Sequence, residues 1–315
     1  MSAPGLIADI GGTNARFALV TPGCSEALQP MVFHCADFAG PAEAARSYLE
    51  KVGPDRPPRR AAFAVASPVL ADRIEMTNHV WRFSVAEVRR RLELEQLDVV
   101  NDFIAVALAV PHLGKDDKVA VGGGQAEPTA PVAVLGPGTG LGVSALVPAA
   151  GGWIPIPTEG GHVTMAAADD REAEVLAWLR ARQGHVSAER VLSGPGLVNL
   201  YTALCGLAGE PVQTISPAEV THRAAEGDQR AAESLAMFFA MLGTVAGNLA
   251  LTVGARGGVV IAGGIVPQVL PAFLASDFRR RFEDKGRFTG YLEQIPVHVA
   301  IHPYPAFLGL AGLVS

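Results

Sequence analysis

Short apolar runs and helix-period segments alternate along this chain. Residues 6–10 are an apolar run read as a buried strand, Gly11-Gly12-Thr13-Asn14 is a turn, and residues 16–20 return as a second strand. Residues 42–52 have helical spacing, 61–66 read as a short strand of small residues, and 84–94 as a helix. Ser84 caps that helix, and Glu87 three residues on completes a capping box. The strand 97–100 runs into Asn101-Asp102 and then the apolar helix 103–109, stopped by Pro111.

The stretch 115–129 is polar and Gly-rich, so a domain boundary is expected near residue 111. The strand, Gly turn, strand plan then returns at 132–135, 136–142 and 143–147. This is a repeat of architecture, not of letters. Helices are expected at 171–182, 188–192, 196–204, 217–225 and 233–253, then a strand at 258–262 and a helix from about Pro267. A late strand at 297–301 and a final helix at 306–313 complete the pattern. Interleaved strands and helices indicate an α/β fold. Two Gly hairpins and a third Gly-rich strand end suggest a nucleotide held between two lobes.

Residues 234–255 carry no charge and contain Gly243-x-x-x-Gly247. That length permits a membrane span. Asn248, two Thr and three Gly, followed at once by the apolar strand at 258–262, favour a buried core helix instead. The small residues would let its backbone approach a neighbour.

Composition narrows the partners. With 315 residues, 49% hydrophobic and 18% charged, the chain is too apolar for disorder and long enough for two domains. The net charge of −6 and the lack of a dense basic block argue against nucleic acid. Cys24, Cys35 and Cys205 form no C-x-x-C, and their odd count points to free thiols in a reducing cytoplasm. Asp9 interrupts the first apolar run, so a secretory signal is not expected.

Six motifs carry candidate chemistry. Asp9-Ile-Gly11-Gly12-Thr13-Asn14 is neither a Walker loop nor a dinucleotide fingerprint. Its adjacent glycines can expose N–H groups to a phosphate, Asp9 can hold Mg²⁺ through water, and Thr13 adds a hydroxyl; an ordinary hairpin is the plain alternative. Gly136-Pro-Gly138-Thr139-Gly140-Leu-Gly142 leaves one side of the backbone bare, and Gly263-Gly264 would admit a flat group such as adenine. Asp102, where a strand becomes a helix, is either an N-cap or a general base. Glu159-Gly160-Gly161-His162 suits hydrogen bonding to a polyol better than a zinc site, because no third metal ligand stands near. Glu189 opens as either a first-turn helix residue or a ligand-binding one. Trp81 and Trp153 are expected at domain edges.

Taken together, Asp9–Arg16, Met76-Thr-Asn-His79, Val100-Asn-Asp-Phe103, Gly136–Gly142, Glu159–His162, the long Ser187–Tyr201 block, Ala262-Gly-Gly-Ile-Val-Pro267 and Phe282-Glu-Asp-Lys-Gly-Arg-Phe288 resemble bacterial glucokinase. They run in family order over nearly the whole chain. The Cys-rich zinc motif of the related repressor and kinase family is absent.

The resemblance implies a two-lobed, actin-like (ribonuclease H-like) ATPase fold, with a smaller α/β lobe and a larger α+β lobe around a cleft. The domains would be 1–111 with 302–315, and 112–301. It implies ATP-dependent phosphorylation of D-glucose at the 6-hydroxyl, with ATP and Mg²⁺, in a cytoplasmic homodimer with no membrane partner. Glucose would be held by Asn101, Asp102, Glu159, His162 and Glu189, with Asp102 as base and Glu159, His162 and Glu189 as orienters. ATP would meet Asp9, Gly11, Gly12, Thr13, Asn14, Gly138, Thr139, Gly140, Gly263 and Gly264. Thr158 departs from the pattern; neither it nor Pro137 is expected to touch the chemistry, but both can tune the loops. Rival readings are a kinase for another hexose, a sugar-sensing regulator and an actin-fold chaperone. The last two are disfavoured because a DNA-binding or peptide-binding module would need more chain.

Overall fold

The computed structural model describes residues 3–76, 81–212 and 214–314. The motif residues Thr77, Asn78 and His79 lie outside them. The chain divides into two compact units, Met1–Gly114 with His302–Ser315, and Lys115–Ile301.

The first unit is built on a five-stranded sheet. Its strands are β1 (Gly5–Ile10), β2 (Asn14–Val20), β3 (Ala27–His34), β4 (Arg60–Val65) and, after the small hairpin β5 (Arg73–Glu75) and β6 (Arg82–Ser84), β7 (Gln96–Asn101). Their spatial order is β3-β2-β1-β4-β7. β1 and β2 form an antiparallel hairpin, whereas β4 and β7 run parallel to β1. The helices are α1 (Pro41–Val52), α2 (Val85–Arg91) and α3 (Asp102–Ala109).

Both faces of β1 are buried, as the continuous apolar run requires. Leu6, Ala8 and Ile10 point into a core with Phe17, Phe33, Tyr48, Phe63 and Trp81. Ile7 points the other way, to Ala105 of α3 and to Phe307 and Leu310 of the C-terminal helix Pro305–Val314. A side chain at Gly309 would collide with the Ala105 carbonyl, so glycine allows the two helices to touch. Trp81 is therefore a core residue, not an edge one: it is 2% exposed and its indole N–H donates to the Phe38 carbonyl at 3.0 Å. Ser84 accepts from the Glu87 N–H, but Glu87 spends its carboxylate on Arg90, so the box is half formed and α2 ends at Arg91.

The second unit repeats the sheet plan. Its strands are β8 (Lys118–Ala120), β9 (Val132–Pro137), β10 (Leu141–Ala149), β11 (Gly152–Pro157), β12 (Gly258–Ile261) and β13 (Val297–Ala300), in the order β11-β10-β9-β12-β13-β8. β9 to β11 form antiparallel hairpins, and β12 and β13 run parallel to β9. The helices are α4 (Asp170–Gln183), α5 (Gly194–Leu207), α6 (Pro217–Ala225), α7 (Gln229–Val253) and the short α8 (Ile265–Gln268), α9 (Leu270–Leu274), α10 (Phe278–Glu283) and α11 (Thr289–Glu293).

Helix α7 is long and apolar enough to cross a membrane, yet it is the central helix of this unit's core. Side chains at Gly243 and Gly247 would strike the carbonyls of Phe278 and Phe282, so the glycine pair lets α10 lie against it. Phe239 then meets Phe273 edge to face, with centroids 5.3 Å apart, and Phe273 meets Phe278 at a tilt, with centroids 4.7 Å apart. Two expected helices differ. The segment from Pro267 splits into α8 and α9, because Pro271 cannot continue the ladder of α8. Residues 188–192 form a turn instead of a helix, closed by Leu192 N–H to the Ala188 carbonyl at 2.8 Å.

Candidate active site

In the first unit the candidate residues gather at one sheet edge. The register aligns Ile10 with Val65, and Val65 with Asn101, so β1, β4 and β7 end together. Carboxyl ends of parallel strands are where α/β sheets bind ligands. The turn after β1 is closed by Gly11 N–H to the Asn14 carbonyl, 2.9 Å, and held from beneath by Cys35 N–H to the Thr13 carbonyl, 2.9 Å. Gly11 and Gly12 are half-buried and Thr13 is exposed.

One pair back from the turn, Asp9 faces Arg16 across the hairpin, and Arg16 Nη1 lies 3.1 Å from Asp9 Oδ2. Burial pushes the Asp9 carboxyl up from its ordinary value, against the pull of Arg16. The partner was legible in principle, since a two-glycine turn sets residues 9 and 16 opposite each other.

At the end of β7 the two possible roles of Asp102 separate. Asn101 is the cap: its Oδ1 accepts from the Phe103 N–H at 2.9 Å, and its Nδ2 donates to the Ser67 carbonyl at 3.4 Å. Asp102 is the first helical residue, and its Oδ1 also accepts from Phe103 N–H, at 2.8 Å. Burial first, and the Asp9 charge second, raise the Asp102 pKa to about 6, although the Phe103 N–H and Asn101 pull the other way.

In the second unit three candidate segments meet. The turn Gly138-Thr139-Gly140 is closed by Gly138 N–H to the Gly140 carbonyl, 2.8 Å, and Gly194 N–H, opening α5, donates to the Gly138 carbonyl at 2.8 Å. Gly263 sits beside it with a φ of 81°, and a side chain there would strike the Pro137 carbonyl. Only glycine meets both demands at that strand end.

Glu189 is not a first-turn helix residue. Ser193 caps α5, and Glu189 lies four residues before it, in the turn. Its Oε2 accepts the Leu141 N–H at 2.9 Å, in the space a Gly140 side chain would take. Its Oε1 points to His162 Nδ1 at 3.9 Å, while His162 Nε2 lies 3.9 Å from Glu159 Oε2. The imidazole and the two carboxylates are within ion-pair range of one another but not hydrogen bonded to one another, which leaves Glu189 Oε1, the Glu159 carboxylate and the imidazole available to a hydroxylated ligand. No group of three or more metal-ligating side chains occurs among the described residues.

Sequence reasoning missed two anchors of this cluster. The Leu141 N–H and the Thr158 hydroxyl act through contacts 48 and 15 residues away. No local spacing announces them.

The glucokinase family model matches residues 6–315. The chain belongs to the glucokinase family. It is 56% identical to the glucokinase of Paramagnetospirillum magneticum over 317 aligned residues, covering 100% of this chain and 98% of that one. A glucokinase structure from an Antarctic psychrotroph superposes with a TM-score of 0.91 at 38% identity, over 100% of this chain and 99% of that one. A ROK-family glucokinase from Streptomyces griseus, solved with glucose and AMPPNP, shares the fold at 19% identity and a TM-score of 0.67, over 98% of each chain. Glucokinase membership makes the chain an enzyme, an ATP-dependent glucose kinase, on the actin-like ATPase fold that its motif order implied.

Proposed function

We propose that the chain transfers the γ-phosphoryl group of ATP to the 6-hydroxyl of D-glucose, with Asp102 taking the hydroxyl proton, to give glucose 6-phosphate and ADP. The observation that carries the assignment is the state of Asp102. Asn101, not Asp102, is the N-cap of α3, Asp102 stands at the carboxyl end of β7, and its pKa of about 6 lies near the working range. A carboxylate so placed is ionised at pH 7 yet accepts a proton more readily than an ordinary one. A sugar hydroxyl needs that help, because phosphoryl transfer otherwise depends on positioning and electrostatics.

Asn101, Glu159, His162 and Glu189 act as orienters for the sugar. Two carboxylates, an amide and an imidazole supply the mixture of acceptors and donors that sugar hydroxyls require. Gly11, Gly12, Thr13 and Asn14 in one unit, and Gly138, Thr139, Gly140, Gly263 and Gly264 in the other, contribute the nucleotide contacts. Exposed turn N–H groups and side-chain-free strand ends suit phosphates and a flat base. The Streptomyces griseus structure was solved with glucose and AMPPNP, the same two ligand classes proposed for this chain.

Asp9 fits the magnesium ion that such a reaction uses. One of its oxygens bonds Arg16 and the other accepts nothing among the described residues. Magnesium in phosphoryl-transfer sites rests on one or two carboxylates plus water and phosphate oxygens, so a single Asp suffices. The bound ion would neutralise phosphate charge. The enzyme acts as a cytoplasmic homodimer, the form that goes with the family resemblance; sedimentation at micromolar concentration tests it.

The first experiment is a coupled ADP-release assay with Mg²⁺–ATP on glucose, mannose, fructose and N-acetylglucosamine, with a no-sugar control. Fast turnover on glucose alone is expected. Turnover only on another sugar would move the Glu159, His162 and Glu189 assignments. ATP binding with no sugar phosphorylated would overturn the reaction.

A further inference from the structure

The strand that leads into the Glu159–His162 turn is poor in backbone donors. Pro155 and Pro157 of β11 have no N–H to give the ladder with β10. Side-chain hydroxyls stand in. Ser144 Oγ donates to the Ile156 carbonyl at 3.0 Å. One residue beyond β11, Thr158 Oγ1 donates to the Val143 carbonyl at 2.7 Å and accepts the Gly160 N–H at 3.2 Å.

That bridge joins β10 to the middle of the turn. The turn itself lies flat on β10: a side chain at Gly160 would come within 2.7 Å of Val143 Cγ1, and one at Gly161 would strike the Leu141 carbonyl. At its far end Glu189 N–H holds the Gly161 carbonyl at 2.9 Å. Thr158 is thus the clamp on the near side, and the side chains it frames, Glu159 and His162, are both about 60% exposed. They are not packed in place, so the backbone beneath them decides where they point.

We propose that Thr158 is a positioning residue for sugar binding: its hydroxyl, bridging the Val143 carbonyl and the Gly160 N–H, sets the turn that presents Glu159 and His162. The inference rests on the reading of those two residues as sugar orienters. It requires that losing the hydroxyl loosens glucose binding while leaving ATP binding and the chemical step in place.

Thr158→Val removes the hydroxyl at nearly constant volume, Thr158→Ser keeps it, and Glu159→Gln checks the reading beneath. KM for glucose, KM for ATP and kcat are measured for each, with Tm recorded. Thr158→Val is expected to raise KM for glucose about tenfold, the scale of one or two lost hydrogen bonds. KM for ATP and kcat should stay within about twofold, and Thr158→Ser should restore the glucose KM. An unchanged glucose KM in Thr158→Val, or equal rises for both substrates, would overturn the role of Thr158. An unchanged glucose KM in Glu159→Gln would overturn the orienter reading itself, whatever Thr158→Val does.

Discussion

In each sheet a strand turns back through a glycine turn while a parallel strand lies on its other side: residues 5–20 in the first unit, 132–149 in the second. One pair back from the first turn, Asp9 stands opposite Arg16. At the same place in the second hairpin, Gly136 stands opposite Gly142. The first hairpin therefore carries charge, and the Asp9 charge adds to the larger effect of burial in raising the Asp102 pKa. The second carries shape. Its glycines make room for the Ala262–Gly263 backbone and for the Glu189 carboxylate, and the charge comes from a distant turn. One backbone plan serves two purposes because the residues flanking the turn differ.

The comparison breaks most readily at Asp102. Asp102→Asn is expected to lower kcat about 10²–10⁴-fold, the usual cost of a positioned base, with the Kd for ATP nearly unchanged. Near-normal kcat would remove the charge-bearing role from the first unit. In the unaltered enzyme kcat/KM should fall about tenfold per pH unit below about pH 6, as Asp102 takes up its proton. A flat profile down to pH 5 would contradict it.

The same shift has a sign in stability. The pKa is raised on folding, so the ionised carboxylate destabilises the folded chain above about pH 6. That cost fades as pH falls toward the ordinary value of 3.8. Asp102→Asn should therefore have a higher Tm than the parent at pH 8, with the gain shrinking toward pH 5; a loss at pH 8 would refute the burial argument.

The second hairpin is tested by moving glycine. Gly140→Ala should displace Glu189 from the Leu141 N–H, and a charge-assisted bond of this kind contributes about 1.5–3 kcal/mol. The expected result is a rise in glucose KM of roughly tenfold or more, larger than the rise in ATP KM. Gly138→Ala, whose side chain would meet open space, should change glucose KM far less. Equal effects of the two substitutions on glucose KM would show that the bond from Leu141 N–H to Glu189 does not set glucose affinity.

The smallest effect is expected beneath the first turn. Cys35 Sγ reaches the Gly11 carbonyl at 3.5 Å, a weak thiol contact, whereas its backbone N–H holds Thr13. Cys35→Ala keeps the backbone bond, so ATP KM should stay within about twofold and Tm should fall by only a few degrees, as for about 1 kcal/mol in a domain of this size. A large rise in ATP KM would show that side chains, not backbone, hold the turn.

Local elements were legible because their causes are local. Apolar runs bounded by glycine marked β1, β9 and β12, and Ser216 followed by Pro217 opened α6 where expected. The strands β3 and β11 went unread: one has only three buried or half-buried apolar residues, Ala27, Met31 and Phe33, unevenly spaced around Pro30, and the other interleaves prolines with exposed isoleucines. Residues 188–192 have helical letters, but the bonds of Glu189 to Leu141 and of its N–H to Gly161 hold them as a turn. Trp81, too, was misplaced, since its burial depends on the Phe38 carbonyl 43 residues away.

The amino-acid sequence alone determined the order of strands, glycine turns and helices, and with it the family. It also placed Asp102 at a strand end, because a strand, a cap and an apolar helix are each written within a few residues. Tertiary structure decided what those residues are. It made Asn101 the cap and Asp102 the first helical residue, set Arg16 against Asp9, and tied Glu189 to Leu141 and Thr158 to Val143. Hydrogen bonds and charges act through space over a few ångströms, and only the folded sheet brings residues separated by up to 48 positions within that range.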